Sequence, residues 1–190
     1  MSWTRSIPPA AANGDLVPVY ERIRALHPEG RVGTCWQACA PAPALLDALF
    51  TLVRATMDDP APLSRAQAEA IAVAVSSLNG CAYCLGHHGP RLARALGDEA
   101  LARAVARDYR AADLAARDRV LLDYAVALSC EPAERTVDDV ERLREYGFGD
   151  DAILRAAAVA ALFNLLNRLI AGLGVELEED VEPWESGARG

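Results

Sequence analysis

The sequence predicts an all-α fold, a multihelical bundle with no significant sheet. Alanine is its commonest residue and is accompanied by leucine, arginine and glutamate, all good helix formers. Two-residue alternation is almost absent; the stretch 71–75, Ile-Ala-Val-Ala-Val, is its one short instance. The apolar runs are also bracketed by helix start and stop signals.

A first helix is expected over 16–27 and a second over 42–57, after Pro41 and Pro43. The third starts at Ser64. Ser64 and Gln67 have capping-box spacing, in which each side chain satisfies a free backbone N–H of the first turn. It runs to Leu78 and stops at Asn79-Gly80, a pair that readily takes positive φ. A fourth begins near Cys81, and Pro90 within it predicts a kink or break near Gly89. Further helices are expected over 99–108, 114–129, 137–146 and 151–172. Asp113, Thr136 and Asp150 are candidate N-caps, and Gly147 is a candidate C′ residue. No Ser/Gly linker or compositional shift divides the chain. Residues 1–190 therefore read as one domain, with an N-terminal arm at 1–15 and an acidic tail at 176–190 that is expected to fray.

Composition excludes several functions. With 52% hydrophobic residues the chain is neither disordered nor low in complexity. All 19 basic residues are arginines, so there is no Schiff-base lysine, P-loop lysine or lysine general base. The net charge of −8, with no clustered basic face, argues against nucleic-acid binding. Residues 1–15 lack the apolar core of a secretory signal. The most apolar stretch, 152–175, carries Arg155, Asn164, Asn167 and Arg168, which argues against a bilayer span. The expected location is the cytoplasm.

An odd set of five cysteines, without an export signal, does not form a disulfide framework. Cys35, Cys39 and Cys130 read as buried reduced thiols, and Trp36 as core or subunit interface. Cys81 and Cys84 form a Cys-x-x-Cys pair at a helix start, where free N–H groups favour a thiolate. Leu85 stands where a c-type haem site needs histidine. Zinc on Cys81, Cys84, His87 and His88 is disfavoured, because four neighbours on one helix surround an ion poorly.

Between Arg65 and Arg91 the only Asp, Glu, Lys or Arg is Glu69, in a run too apolar for a solvated helix face. Desolvation there is expected to raise its pKa toward neutrality and suit it to proton transfer. Cys81, Cys84 and His88 share one helical stripe, whereas His87 is rotated away from Cys81 and reads as a surface or interface residue. The helix start favours Cys81 as the acidic thiol, and the histidine favours Cys84. Proton transfer requires direct or one-water reach, while the dipole is worth about 1 kcal/mol. On that ground Cys84 is assigned as nucleophile, Cys81 as resolving thiol and His88 as base. Val73, Leu85 and Phe163 are candidates for apolar lining.

Glu69, eleven residues, Cys81-x-x-Cys84, three residues and His88, preceded by Ser76-Ser-Leu-Asn79, resembles the alkylhydroperoxidase D-like (carboxymuconolactone decarboxylase) superfamily and its peroxidase-related branch. The resemblance extends through Leu122-Asp-Tyr-Ala-Val-Ala-Leu128, 139–148 and Phe163-Asn-Leu-Leu-Asn-Arg-Leu169, covering 16–179. It implies an AhpD-like helical bundle assembling as a trimer or hexamer. It implies a Glu69–His88 relay that deprotonates a peroxidatic Cys84, with Cys81 resolving and no metal or organic cofactor. The substrate would be a hydroperoxide, and a lipoyl or thioredoxin-like dithiol protein would be the reductant. Tyr83 stands where some members carry a second histidine, and Pro90 is the other departure. The superfamily's decarboxylases lack the cysteine pair, so that activity is not expected. A non-catalytic redox-sensing oligomer with a reversible Cys81–Cys84 disulfide and a metal-binding module are the alternatives.

Overall fold

The computed structural model describes residues 2–26 and 29–186. Among them are nine α-helices and no strand: α1 Leu16–Leu26, α2 Thr34–Cys39, α3 Pro43–Met57, α4 Arg65–Leu78, α5 Ala82–Leu96, α6 Glu99–Asp108, α7 Ala116–Cys130, α8 Val137–Glu145 and α9 Asp150–Leu173. The expected end of the first helix at His27 lies outside the described residues. The alternating stretch 71–75 is helical, inside α4, because its alternate residues are alanines that pack as readily on a helix.

Helix α4 is the axis of the fold. Ten successive residues, from Ala68 to Ser77, are buried, and the helix packs against α5, α6, α7 and α9. A helix apolar on all sides has to be enclosed by neighbours. Its start is the expected capping box: Ser64 Oγ accepts the Gln67 N–H at 3.1 Å, and Gln67 Oε1 accepts the Ser64 N–H at 3.0 Å. Gly80, at φ +64°, reverses the chain so that α5 returns along α4. α9 is long and apolar enough to cross a membrane by length and composition, but here it lies against α3, α4 and α7. A smaller cluster joins α1 and α3 through Tyr20, Ile23, Leu46 and Phe50.

Several local expectations are corrected. Helix α2 falls in a six-residue stretch too short to show a helical period. The seventh helix starts at Ala116 with Ala115 as N-cap, so Asp113 caps nothing there. Asp150 is the first residue of α9, behind Gly149 as N-cap. Thr136 does start α8, with its N–H donating to Asp139 Oδ2 at 2.8 Å, and Gly147 takes φ +80° after it. Pro90 does not break α5, which is continuous from Ala82 to Leu96; the proline removes one N–H without ending the helix. Cys130 is exposed at the end of α7, and Cys35 and Cys39 are half-buried rather than buried.

The frayed tail is also corrected over 175–186. This segment lies along α5, with Val175 and Trp184 buried. Glu182 and Glu185 pair with Arg103 and Arg107 of α6, each at 2.8 Å, and Arg103 stacks on the Trp184 ring at 4.5 Å. The acidity that read as solvation is thus the counter-charge to an arginine face. Trp184 sits directly over Gly89, where an added Cβ would lie 2.3 Å from the indole. Gly89→Ala is therefore expected to cost about 1–3 kcal/mol of stability and to expose Trp184. Denaturant unfolding and the emission wavelength of the folded protein measure the two effects.

Candidate active site

The α4–α5 hairpin brings Glu69 and His88 together, although nineteen positions separate them. Glu69 Oε2 lies 2.7 Å from His88 Nδ1, and Glu69 is 2% exposed. The carboxylate accepts from Nδ1–H in the neutral imidazole, which leaves Nε2 with the free lone pair. The Phe163 ring meets the imidazole edge-on at 4.7 Å and fixes its plane.

Burial pushes the Glu69 carboxyl upward, but His88 and the Arg91 and Arg65 guanidinia together hold it below the ordinary carboxylate value. Arg65 Nη1 is 3.8 Å away, one turn earlier on α4. The expected rise toward neutrality is therefore corrected: Glu69 stays an anion, held first by His88 and then by the two arginines that flank this stretch in sequence and return to it in space. Burial lowers the His88 pKa despite the carboxylate beside it. Near neutral pH the pair is carboxylate and neutral imidazole, a base of fixed tautomer.

Cys81 and Cys84 are both buried, at the start of α5. Cys81 is the N-cap, and its Sγ accepts the Cys84 N–H at 3.4 Å. A hydrogen bond from the Cys84 thiol, against burial, lowers the Cys81 pKa to about 7, with further donation from the Cys84 N–H, the Asn167 side chain and the Tyr83 N–H. The same thiol–thiolate bond and burial raise Cys84. The acidity thus falls on Cys81, as the helix start argued, and not on Cys84, as the histidine spacing argued. The hydrogen bond of His88 goes to Glu69, and among the described residues none joins it directly to Cys84.

Asn167 is itself fixed: its Nδ2 donates to Ser76 Oγ at 3.1 Å and its Oδ1 accepts from Asn79 Nδ2 at 3.0 Å. Asn79, at the end of α4, and Asn167, within α9, are thus the polar floor beneath the cysteine pair.

A cavity of about 680 Å³ opens onto this hairpin, and Glu69, Cys84 and His88 form part of its wall. Cys81 does not line it. Phe163 does, as expected, whereas Val73 and Leu85 belong to the main core and not to the cavity. Trp36 lines it too, packed edge-on against Phe50 at 5.7 Å. His87 and His88 turn toward different carboxylates, and among the described residues no group of three or more His, Cys, Asp or Glu converges as a metal site.

Comparison with known proteins gives a consistent kinship. The carboxymuconolactone decarboxylase family profile matches residues 43–127, which hold all four candidate residues. The crystal structure of an alkylhydroperoxidase AhpD core, an uncharacterized peroxidase-related protein from Ralstonia eutropha JMP134, superposes with a TM-score of 0.85 at 30% identity, over 94% of this chain and 93% of that one. An uncharacterized peroxidase-related protein from Silicibacter sp. TM1040 superposes with a TM-score of 0.82 at 33% identity, over 92% and 91%. The chain belongs to the AhpD-like carboxymuconolactone decarboxylase superfamily. A cysteine-to-alanine variant of the debrominase Bmp8, in complex with 2,3,4-tribromopyrrole, shares the fold with a TM-score of 0.78 at 22% identity, over 94% and 95%. No curated protein sequence matches.

Beside the relay, this AhpD-like chain carries a second polar cluster that sequence reasoning missed. Glu178, from the C-terminal segment, receives Tyr83 O–H at 3.0 Å and Thr34 N–H at 2.8 Å on Oε1, and His87 Nε2 lies 2.9 Å from Oε2. Burial opposes its ionisation, yet the bonds from His87 and Thr34 hold its pKa at about 2. His87 is thus a partly buried tie to the tail, not a free surface residue. Burial pushes the Cys35 thiol up to about 12, which leaves it inert beside the reactive pair. Glu178 lies in a run of acidic residues where nothing local distinguishes it; its distant contacts with Thr34, Tyr83 and His87 do.

Proposed function

We propose that the protein is a thiol-dependent hydroperoxide reductase working through a Cys81–Cys84 disulfide. The observation that carries this reading is the placement of the pair: Cys84 lies on the cavity wall with Glu69 and His88, which are bonded to each other, and the buried Cys81 sulfur sits behind it, accepting the Cys84 N–H. His88 Nε2 draws the proton from Cys84 through one water; the Cys84 thiolate attacks the terminal oxygen of a hydroperoxide, ROOH, the S–O bond forms, the O–O bond breaks and the proton passes on to the leaving oxygen. The products are Cys84 sulfenic acid and ROH. Cys81, already a thiolate, attacks the sulfenic sulfur; the S–S bond forms and hydroxide leaves, taking up one proton from solvent as water. A dithiol protein, lipoyl or thioredoxin-like, then reduces the disulfide by exchange. Glu69 keeps Nδ1 protonated, so that Nε2 does the proton work. This division of labour leaves the resolving thiolate in place before the first step begins.

Supplied with a small dithiol and an alkyl hydroperoxide, the protein is expected to turn over repeatedly, and intact-mass analysis of stalled enzyme is expected to show Cys81–Cys84 as the oxidised form. A single stoichiometric reaction that then stops, with reductant present, would identify a redox sensor instead.

A further inference from the structure

Five arginines line the cavity: Arg31, Arg54, Arg65, Arg91 and Arg94. Three are already committed. Arg31 pairs with Asp180 and Glu29, Arg54 with Asp58, and Arg65 with the backbone carbonyls of Met57 and Asp58. Arg91 and Arg94 are exposed and make no hydrogen bond or ion pair among the described residues. They stand three positions apart on α5, so they share one face of that helix. Arg91 lies near enough to Glu69 to bias its charge, and Arg94 is one turn further from the reactive residues.

The wall of the cavity is otherwise largely apolar, including Leu49, Val53, Leu166 and Leu169. A site for hydrogen peroxide alone would need neither that volume nor that surface. A chain of net charge −8 would moreover repel an anion in general. Arg94, without a hydrogen bond or ion pair among the described residues, and Arg91, whose charge also acts on Glu69, supply the local exception, since guanidinium binds carboxylate as a two-pronged donor.

Taking the peroxidase reading as its basis, we infer that the preferred substrate is an organic hydroperoxide with an apolar body and a terminal carboxylate, of the fatty-acid hydroperoxide class. The carboxylate lies on Arg91 and Arg94, the hydrocarbon along the apolar wall, and the hydroperoxide at Cys84. The cavity volume is within the range that takes ligands of this size.

The test compares a fatty-acid hydroperoxide with its methyl ester, in wild type and in Arg94→Glu. A second measurement titrates unreactive decanoate against the fluorescence of Trp36, which lines the same cavity. The wild type is expected to favour the acid over the ester about tenfold in kcat/KM, and added salt should narrow that ratio. Arg94→Glu is expected to abolish the preference and to weaken decanoate binding about tenfold or more. Equal use of acid and ester by the wild type, or a preference that survives Arg94→Glu, overturns the inference and leaves the peroxidase reading intact. If neither hydroperoxide is consumed with any dithiol while decanoate binding still depends on Arg94, the peroxidase reading fails and the anionic-ligand site stands.

Discussion

Cys84→Ser is expected to abolish hydroperoxide turnover, by about three orders of magnitude or more, because it removes the sulfur that forms the S–O bond. The contrasting variant is Cys81→Ser. It retains the attacking sulfur, so it should add one oxygen at Cys84, visible by mass or by a sulfenic-acid probe, and then stop, with no partner to close the disulfide. The structure adds a prediction that the spacing of residues did not contain. Cys81 owes its lowered pKa, about 7, first to the Cys84 thiol that donates to it. Alkylation of Cys81 in the reduced wild type should therefore have a midpoint near pH 7, with the reactive thiolate lost as pH falls below it. In Cys84→Ala the S–H donor is gone while the backbone N–H remains, and the midpoint should move up toward the ordinary thiol range. Equal peroxidase rates in wild type and Cys84→Ser would reject the assignment of the attacking sulfur. An alkylation midpoint that stays at about 7 in Cys84→Ala would show that the second thiol does not hold the charge on the first.

How far this site can be read from the sequence follows from what each residue depends on. The Ser64 cap and the stop at Asn79-Gly80 are legible, because they need only local signals; the pairing of Glu69 with His88 follows from the family resemblance. The protonation states are not legible. Glu69 looks desolvated in its own helix, and only the return of His88 and Arg91 on the next helix, together with Arg65, shows why it stays ionised. His88 shares a stripe with Cys84 on a helical projection, yet its ring is bound to Glu69 and held edge-on by Phe163 from α9, a contact that no local pattern encodes. The C-terminal segment is the clearest failure. Its composition reads as a solvated end, and its order comes from Trp184 over Gly89 and from arginines about eighty positions earlier. Composition reports how polar a segment is, but not whether a partner of opposite charge awaits it.

Glu69→Gln is expected to lower the rate constant for Cys84 oxidation about 100-fold, the scale of a lost general acid–base contribution. The amide oxygen can still accept from His88 Nδ1–H, so the imidazole keeps its tautomer and place. What is lost is the negative charge behind it, and with that charge the readiness of Nε2 to take up a proton. A purely structural role for Glu69 would leave the pH profile of oxidation unchanged, whereas the relay requires its histidine-dependent limb to move to lower pH. Stability should change with a definite sign. His88 is held below its usual pKa by burial, so the wild type loses stability as pH falls from about 6.5 toward the folded-state value. Glu69 is held below the ordinary carboxylate value, so its contribution is present above about 4.5 and disappears as pH falls through the lowered folded-state pKa. The variant lacks the second loss, and its histidine, without the carboxylate beside it, carries the first to lower pH. Denaturant unfolding across pH 7 to 3 should therefore give curves of different shape, with only the wild type losing a Glu69 contribution below about 4.5. Parallel curves over that interval, together with an unaltered oxidation profile, would mean that the buried carboxylate neither carries its charge at neutral pH nor supports the imidazole, and the proposed route for the proton would have to be abandoned.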